Sequence, residues 1–230
     1  MRRFRCDIIP AVGADALLSA EVSHHLLAVT RLPRGQQLEL FDGAGHTAVA
    51  TLVGVEGGRA RVRVEGHGQV ERDIPLCLLV ALTKGPRFED ALRMAVELGV
   101  TEVVPVLARR SVAKGDRRAR WLRVIEGAAR QSGRALCPQL QPLARFSEVL
   151  ERPEGGLRWV CVPGAAAAAG TQGPASVLIG PEGGWTDAEV QAALAASWQP
   201  AGLGRHVLRA ETAVAAALTR IRCAGAAPAG

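Results

Sequence analysis

From about residue 75 onwards, segments with the composition of buried strands alternate with segments of helical periodicity. Leu76–Leu82 is a run of apolar residues, and the segment Phe88–Leu98 then places its apolar residues on one helical face before ending at Gly99. The alternation continues through strand patterns at Val100–Leu107, Val160–Val162 and Ser176–Ile179 and helical patterns at Arg117–Ser132, Thr186–Ala196 and Glu211–Arg222. This order of elements predicts an α/β domain built on a parallel sheet.

The first 70 residues have a different pattern, in which short strands are separated by turn residues. Gln37–Phe41, Thr47–Val55 and Arg59–Val64 are rich in β-forming residues, and glycine-containing turns separate them. The segment Leu38–Gly45 resembles the glycine-rich loop of dinucleotide-binding domains, but a strand follows it where that loop requires a helix. A hairpin is therefore predicted there, within a small β-barrel-like domain.

The basic residues are concentrated in one segment. The net charge is +6, and residues 109–134 hold nine Lys or Arg residues against Asp116 and Glu126. Binding to a phosphate backbone requires such a concentration of positive charge. A solvated helix face explains the same pattern equally well, so charge alone leaves both interpretations open.

Three classes of protein are disfavoured by what the sequence lacks. No apolar run approaches the roughly 20 residues of a membrane span, and the first residues do not have the pattern of a signal peptide. The five cysteines are scattered, with no Cys-x-x-Cys pair and no Cys/His cluster. We therefore predict a cytoplasmic protein with no membrane partner, no disulfide framework and no metal site.

The strongest local signal is the glycine-rich segment that follows the apolar strand 176–179. It reads Gly-Pro-Glu-Gly-Gly-Trp-Thr-Asp-Ala-Glu over residues 180–189. Thr186 and Glu189 have the spacing of a capping box, so a helix is predicted to begin there. Glycines let a ligand approach the backbone closely, which favours a ligand loop over an ordinary strand–helix connection.

Two further segments carry candidate functional residues. In Leu203–Ala213, Arg209 and Glu211 lie at the start of a predicted helix, either as a structural ion pair or with Arg209 facing a substrate. His206 alone is a weak candidate. Lys84 and Arg87 follow a predicted strand, where they suit RNA contact and equally suit exposed loop cations.

Four motifs together resemble the RsmE family of SPOUT-class methyltransferases. They are Ile-Gly-Pro-Glu-Gly-Gly at 179–184, Leu-Gly-x-x-Val-Leu-Arg-x-Glu-Thr-Ala at 203–213, Glu-Leu-Gly-Val at 97–100 and Gln-Ser-Gly-Arg at 131–134. Members of this family methylate N3 of uracil in 16S ribosomal RNA, at a position that the activity name numbers 1498. The resemblance spans nearly the whole chain.

The resemblance implies a fold, a cofactor and partners. The expected fold is a PUA-like RNA-binding β-barrel at residues 1–70, followed at 71–230 by a SPOUT parallel-sheet domain whose trefoil knot binds S-adenosylmethionine. A trefoil knot is a rare exception to general fold rules, and no spacing argument derives it. The implied partners are 16S rRNA within the small ribosomal subunit and a second copy of the chain in a homodimer.

The resemblance also implies site residues. The cofactor-binding residues are expected to be Val162, Pro163, Gly164, Ile179, Gly180, Pro181, Glu182, Gly183, Leu203, Gly204, Val207 and Leu208. Candidate catalytic residues are Arg209, to stabilise charge on the uracil carbonyl oxygens, and Glu182 or Glu211, to accept the N3 proton. Candidate RNA contacts are Arg2, Arg3, Arg5, Arg31, Lys84, Arg87 and Arg134.

The sequence departs from the family pattern at two positions. Arg130 stands where an acidic residue is usual, and Trp185 stands where phenylalanine is usual. Two alternatives to the family function stay open: a SPOUT methyltransferase of another RNA, and a non-catalytic RNA-binding or ribosome-assembly protein. The intact glycine loops argue against the second, because a pure RNA binder needs no cofactor site.

Overall fold

The computed structural model describes residues 1–111, 117–152 and 155–223. Strands alternate with turns in the N-terminal part of the chain and with helices in the remainder. The chain divides into two units. One unit contains Met1–Arg72 and Glu126–Cys137, and the other contains Asp73–Ile125 and Pro138–Gly230. Lys114 of the basic segment lies outside the described residues.

The first unit is built on a mainly antiparallel five-stranded sheet with the strand order β1-β3-β4-β5-β2. Only β1 and β3 pair in parallel. Its elements are β1 (Arg3–Arg5), β2 (Asp15–Leu17), α1 (Ala20–His24) with a π-helical turn (His25–Val29), β3 (Gln37–Phe41), β4 (Thr47–Glu56) and β5 (Arg59–His67). Side chains of β5 alternate between exposed and buried, as a sheet with one solvated face requires.

A hairpin joins β3 and β4, as the sequence predicts. Leu38 pairs with Ala50 and Phe41 pairs with Thr47 in antiparallel register. Asp42 closes the turn, because its Oδ1 accepts the backbone N–H groups of Ala44 and His46. The glycine-rich segment in this turn therefore contributes to a β-sheet and does not face a nucleotide.

The second unit contains a seven-stranded parallel sheet in the order β12-β10-β11-β6-β7-β8, with β9 also paired to β7. Its strands are β6 (Leu76–Ala81), β7 (Glu102–Leu107), β8 (Gln139–Leu140), β9 (Ala144–Arg145), β10 (Leu157–Cys161), β11 (Ala175–Ile179) and β12 (Gln199–Ala201). Its helices are α2 (Arg87–Glu97), α3 (Arg118–Ser132, whose residues from Glu126 belong to the first unit), α4 (Phe146–Leu150), α5 (Asp187–Ala195) and α6 (Ala210–Arg222). The predicted α/β fold class is confirmed.

The central strands of this sheet are buried along their whole length. Every residue of β6 and β11 is buried, which is typical of parallel strands covered on both faces. Helix α6 packs against α2 and β11, and its buried face consists of Ala210, Val214, Ala217, Leu218 and Ile221. The small residues of α6 allow this close packing.

The described residues hold no helix that is long and apolar enough to cross a membrane. Within the same ranges, no group of three or more His, Cys, Asp or Glu side chains is arranged to hold a metal ion. All five cysteines are free thiols.

Candidate functional site

The carboxyl ends of β6, β10, β11 and β12 meet at one edge of the parallel sheet, because neighbouring strands run in the same direction. In open α/β sheets, ligands bind at this edge, where the strand order reverses. Here the chain runs from β6 to β7 on one side and adds β11, β10 and β12 on the other. A cavity of about 260 Å³ lies at this edge.

This cavity brings together nearly all residues that the sequence singles out for cofactor binding. Its walls include Val162 and Pro163 after β10, Ile179 to Gly183 after β11, and Leu203, Gly204, Val207 and Leu208 after β12. Gly164, with a φ of +80°, lies next to Pro163 but does not line the cavity. Segments that are far apart in sequence thus form one mainly apolar site.

Further residues line the cavity that the sequence patterns did not single out for cofactor binding. They are Cys161, Trp185, Ala201, Ala210 and Ala213. Gly184 and His206 also line the cavity, and they lie within the segments 180–184 and 203–208, where the resemblance implies the cofactor. Most of these residues are neighbours of predicted residues at the ends of strands and helices. Their place in the cavity follows from the order of the strands in the sheet, which no local sequence pattern gives. Burial raises the pKa of the Cys161 thiol to about 12, which keeps this side chain a neutral thiol.

Close contacts within the protein and one left-handed backbone conformation favour glycine in the loop at 180–184. A Cβ on Gly180 would lie 3.2 Å from the Trp185 ring, and a Cβ on Gly183 would lie 3.2 Å from Cβ of Arg110. Gly184 has a φ of +68° with open space around it, so its backbone conformation requires glycine. The prediction of a ligand loop is supported by the position of this loop in the cavity wall. Tight packing explains why glycine occupies positions 180 and 183.

Hydrogen bonds hold this loop to the segment after β7. Arg110 donates through Nη1 to the carbonyl oxygens of Gly183, at 2.9 Å, and Trp185, at 3.2 Å. The predicted capping box is present, since Thr186 and Glu189 bond to each other's backbone N–H groups. The other carboxylate oxygen of Glu189 accepts the backbone N–H of Arg109 at 2.8 Å.

The substitution Glu189→Gln is expected to lower the free energy of unfolding by about 1–2 kcal/mol. The glutamate side chain is buried and accepts hydrogen bonds on both oxygens, whereas glutamine directs an N–H₂ group at one of these donors. Chemical denaturation measures the loss. Asp187→Asn, at an exposed position in the same helical turn, is the control and is expected to change stability by less than about 0.5 kcal/mol.

Glu182 joins two loops at the rim of the cavity. Its Oε1 accepts the backbone N–H of Lys84 at 3.2 Å and pairs with Nη1 of Arg87 at 3.1 Å. Glu182 Oε2 has no hydrogen-bond partner among the described residues. Arg87, predicted to contact RNA, thus pairs with Glu182, while Lys84 is exposed.

Arg209 is the residue immediately before α6, and its side chain is exposed. Its guanidinium forms no ion pair or hydrogen bond with any residue in the described ranges. Glu211 follows in the first turn of α6, does not line the cavity, and has a buried Oε2 atom without a hydrogen-bond partner. No ion pair joins Arg209 to Glu211 in the described structure.

Arg205 and His206 stand on the same loop as Arg209. The Nε group of Arg205 donates to Nε2 of His206 at 2.8 Å, and both residues are exposed. His206 lines the cavity, within the segment 203–208 where the resemblance implies the cofactor, although alone it is a weak candidate. Val207, 78% exposed, adds apolar surface at the same place.

The arginines of the first unit that are predicted to contact RNA differ in their exposure and in whether an acidic side chain already pairs with them. Arg2 and Arg31 are exposed, whereas the Arg3 side chain is only 10% exposed and lies 2.9 Å from Glu39. Arg5 pairs with Asp7 at 3.1 Å, and the buried Arg134 pairs with Glu71 at 3.0 Å. Arg134 thus holds its own segment in place, since Glu71 also accepts the backbone N–H of Leu136.

Comparison with known proteins relates this geometry to a family. An RNA methyltransferase domain model matches residues 70–222, and an RNA methyltransferase PUA domain model matches residues 18–65. Ribosomal RNA small subunit methyltransferase E of Synechocystis sp. is 34% identical over 91% of this chain and 73% of its own length. The same-named protein of Mycobacterium bovis is 32% identical over 94% of this chain and 88% of its own length.

A solved structure has the same fold over nearly its full length. The crystal structure of ribosomal RNA small subunit methyltransferase E from Neisseria gonorrhoeae, bound to S-adenosyl methionine, superposes with a TM-score of 0.89 at 31% identity. The match covers 95% of each chain. The chain therefore belongs to the ribosomal RNA small subunit methyltransferase E family.

Proposed function

We propose that this protein transfers the methyl group of S-adenosylmethionine to N3 of a uracil in 16S rRNA of the small ribosomal subunit, at the position numbered 1498 in the activity name of the family. The observation that carries this proposal is the cavity at the carboxyl ends of β10, β11 and β12. Residues of the family motifs at 179–184 and 203–213 line this cavity. The unpaired Arg209 lies on one of the loops that form it.

The residues of the cavity fit S-adenosylmethionine. The apolar side chains of Val162, Ile179, Leu203 and Leu208 suit the faces of an adenine ring, and the loop backbone suits its polar edge. Gly204, with a φ of +141° and no atom within 4 Å of the position that a Cβ would take, leaves space for a ligand against the backbone. We propose that the predicted cofactor residues, including Gly164 as a support for Pro163, hold the cofactor there.

S-adenosylmethionine, when bound, would supply an activated methyl group: the N3 lone pair would form the new bond, and the sulfur would keep the electron pair of the broken one. The protein contributes position and charge. Arg209, exposed and unpaired beside the cavity, stabilises the negative charge that the uracil carbonyl oxygens gain as N3 loses its proton. The base must lie outside any helix for N3 to be reached.

Glu182 is the better placed of the two candidate proton acceptors. It lines the cavity, and Arg87 and the Lys84 N–H hold its Oε1, which leaves Oε2 to accept the N3 proton. Glu211 does not line the cavity, and we assign it to supporting the start of α6. Negative charge in the first turn of a helix is stabilised by the helix dipole.

We further propose that the unit with the PUA-type sheet binds RNA and that the unit from about residue 71 holds the cofactor in the family's knot. We also propose that the protein acts as a homodimer in the cytoplasm. The exposed Val207 beside the cavity offers apolar surface to a partner or a base. Sedimentation equilibrium at micromolar concentration tests the dimer, and a monomeric mass with full activity contradicts it.

The proposed function is tested by methyl transfer from labelled S-adenosylmethionine to small subunits that lack the modification. N3-methyluridine in 16S rRNA is the expected product. Methylation of a different RNA by the same protein supports another specificity of the same site. Failure of S-adenosylhomocysteine to raise the melting temperature contradicts the cofactor assignment itself, because a ligand that binds only the folded state must stabilise it.

A further inference from the structure

The first unit contains a second pocket, of about 360 Å³, which is lined by three arginines and one histidine and, within the described ranges, by no acidic side chain. It forms between β1, the π-helical turn and the end of α3. Its polar side chains are those of Arg2, Arg3, His25, Thr30, Arg130 and Gln131. No carboxylate of the described residues lines it, so its side chains suit an anion.

Arg3 is the buried donor of this pocket. Its side chain is only 10% exposed, and its Nη1 has no hydrogen-bond partner, while Nε lies 2.9 Å from Glu39. The guanidinium stacks over the ring of Phe41 at 5.3 Å. A buried N–H group without an acceptor is costly, and an anion in the pocket supplies that acceptor.

The shape of the pocket depends on local backbone features. Gly133, with a φ of +81°, ends α3 and leaves space for Arg3, whose Nη1 would lie 3.5 Å from a Cβ added at this glycine. The Thr30 N–H donates to the His25 carbonyl in the π-helical turn, and Arg2 donates to the Thr30 carbonyl at 2.8 Å. Single π-helical turns recur at functional sites, and this one brings His25 to the pocket.

Positive charge is in excess around His25. Partial burial of the ring, together with Arg130, Arg2 and His24, lowers the pKa of His25. Arg130 is exposed and forms no ion pair with any residue that the structure describes. Arg130 therefore adds a cation to a pocket that Arg2 and Arg3 already line.

We propose that this pocket binds a backbone phosphate of the RNA substrate, with Arg3 and Arg130 as its principal donors. The inference rests on the proposed function for the identity of the RNA. The phosphate contact itself depends only on charge and geometry. Gln131 of the Gln-Ser-Gly-Arg motif offers a further donor to a phosphate oxygen or to the ribose.

Arg130→Ala is expected to weaken binding of a 16S-derived RNA hairpin about tenfold, as measured by fluorescence anisotropy. The slope of log K against log salt is expected to decrease by about 1, the change for one lost phosphate contact. Arg123→Ala is the matched control, because Arg123 is an exposed arginine of the same helix away from the pocket. An equal loss in both variants indicates diffuse charge and overturns the proposal, as does an unchanged affinity of Arg130→Ala.

A second measurement follows the His25 ring resonances by NMR while RNA, or inorganic phosphate alone, is added. RNA that shifts these resonances in the native protein but not in Arg130→Ala supports the pocket. If inorganic phosphate shifts the His25 resonances and RNA does not displace the bound phosphate, the pocket is a site for free anions. That outcome overturns the RNA assignment. Thermal stabilisation by S-adenosylhomocysteine is expected to be equal in both proteins, so loss of the cofactor site and loss of the phosphate site are distinguishable.

Discussion

Replacement of Arg209 by alanine is expected to lower the rate constant of methyl transfer about 10²- to 10³-fold. Methyl transfer to N3 requires loss of a proton, and the resulting charge spreads onto the two carbonyl oxygens that flank N3. Arg209 is the exposed cation immediately before α6, and its guanidinium is not committed to any carboxylate in the described structure. Its charge is thus available to a substrate. Single-turnover kinetics with saturating RNA measures the loss.

The controls for Arg209 separate catalysis from binding. Arg205→Ala removes an arginine of the same loop whose Nε bonds to His206, and we expect it to reduce the single-turnover rate less than tenfold. S-adenosylhomocysteine is expected to stabilise Arg209→Ala as much as the native protein. Arg209→Lys is expected to recover part of the rate, because the charge remains and the planar fork does not. An unchanged single-turnover rate in Arg209→Ala would remove this arginine from the mechanism.

The substitution Gly202→Ala is expected to disrupt the cofactor cavity and to lower the free energy of unfolding by about 3 kcal/mol. Gly202 directly follows β12 and is bridged to Ala167, with its N–H donating to the Ala166 carbonyl at 2.9 Å. A Cβ on Gly202 would overlap the carbonyl oxygen of Ala165. Two backbone segments therefore run side by side here without space for a methyl group. Both adjoin residues that line the cavity: Val162 and Pro163 precede one segment, and Leu203 follows the other.

Thermal unfolding with and without S-adenosylhomocysteine measures both effects of Gly202→Ala. The melting temperature is expected to fall by roughly 6–12 °C, and stabilisation by the ligand is expected to be lost. Gly127→Ala is the control, because Gly127 is an interior helix residue where an added Cβ would meet no atom within 4 Å. Alanine there is expected to be neutral or to raise stability by about 0.5–1 kcal/mol. Ligand stabilisation that is retained in Gly202→Ala contradicts the role of this close contact in shaping the cofactor cavity.

The main elements of both units follow from periodicity in the sequence. β3 begins and ends at the predicted residues Gln37 and Phe41, and the capping box at Thr186 and Glu189 marks the start of α5. The elements that the patterns missed are short. β12 is the clearest case, because Gln199–Ala201 contains a proline and becomes a strand only by pairing with β10.

Contacts between distant residues changed the interpretation of several side chains. Arg87 and Arg134 are cations in the sequence, but the structure pairs them with Glu182 and Glu71. Gly183 resembles a ligand-binding glycine, whereas its close neighbour is Arg110. Each of these partners lies more than 60 residues away along the chain, beyond the range of any local pattern.

The sequence by itself determined the α/β class, the capped helix after the glycine loop and the family, because these depend on local periodicity and on motifs of adjacent residues. Only the tertiary structure decided which loops share a cavity, which arginines remain unpaired and where a second pocket, lined by arginines, forms. The physical reason is that strand order and ion pairing result from packing between residues distant along the chain. The energy of such contacts depends on where the whole chain places both partners.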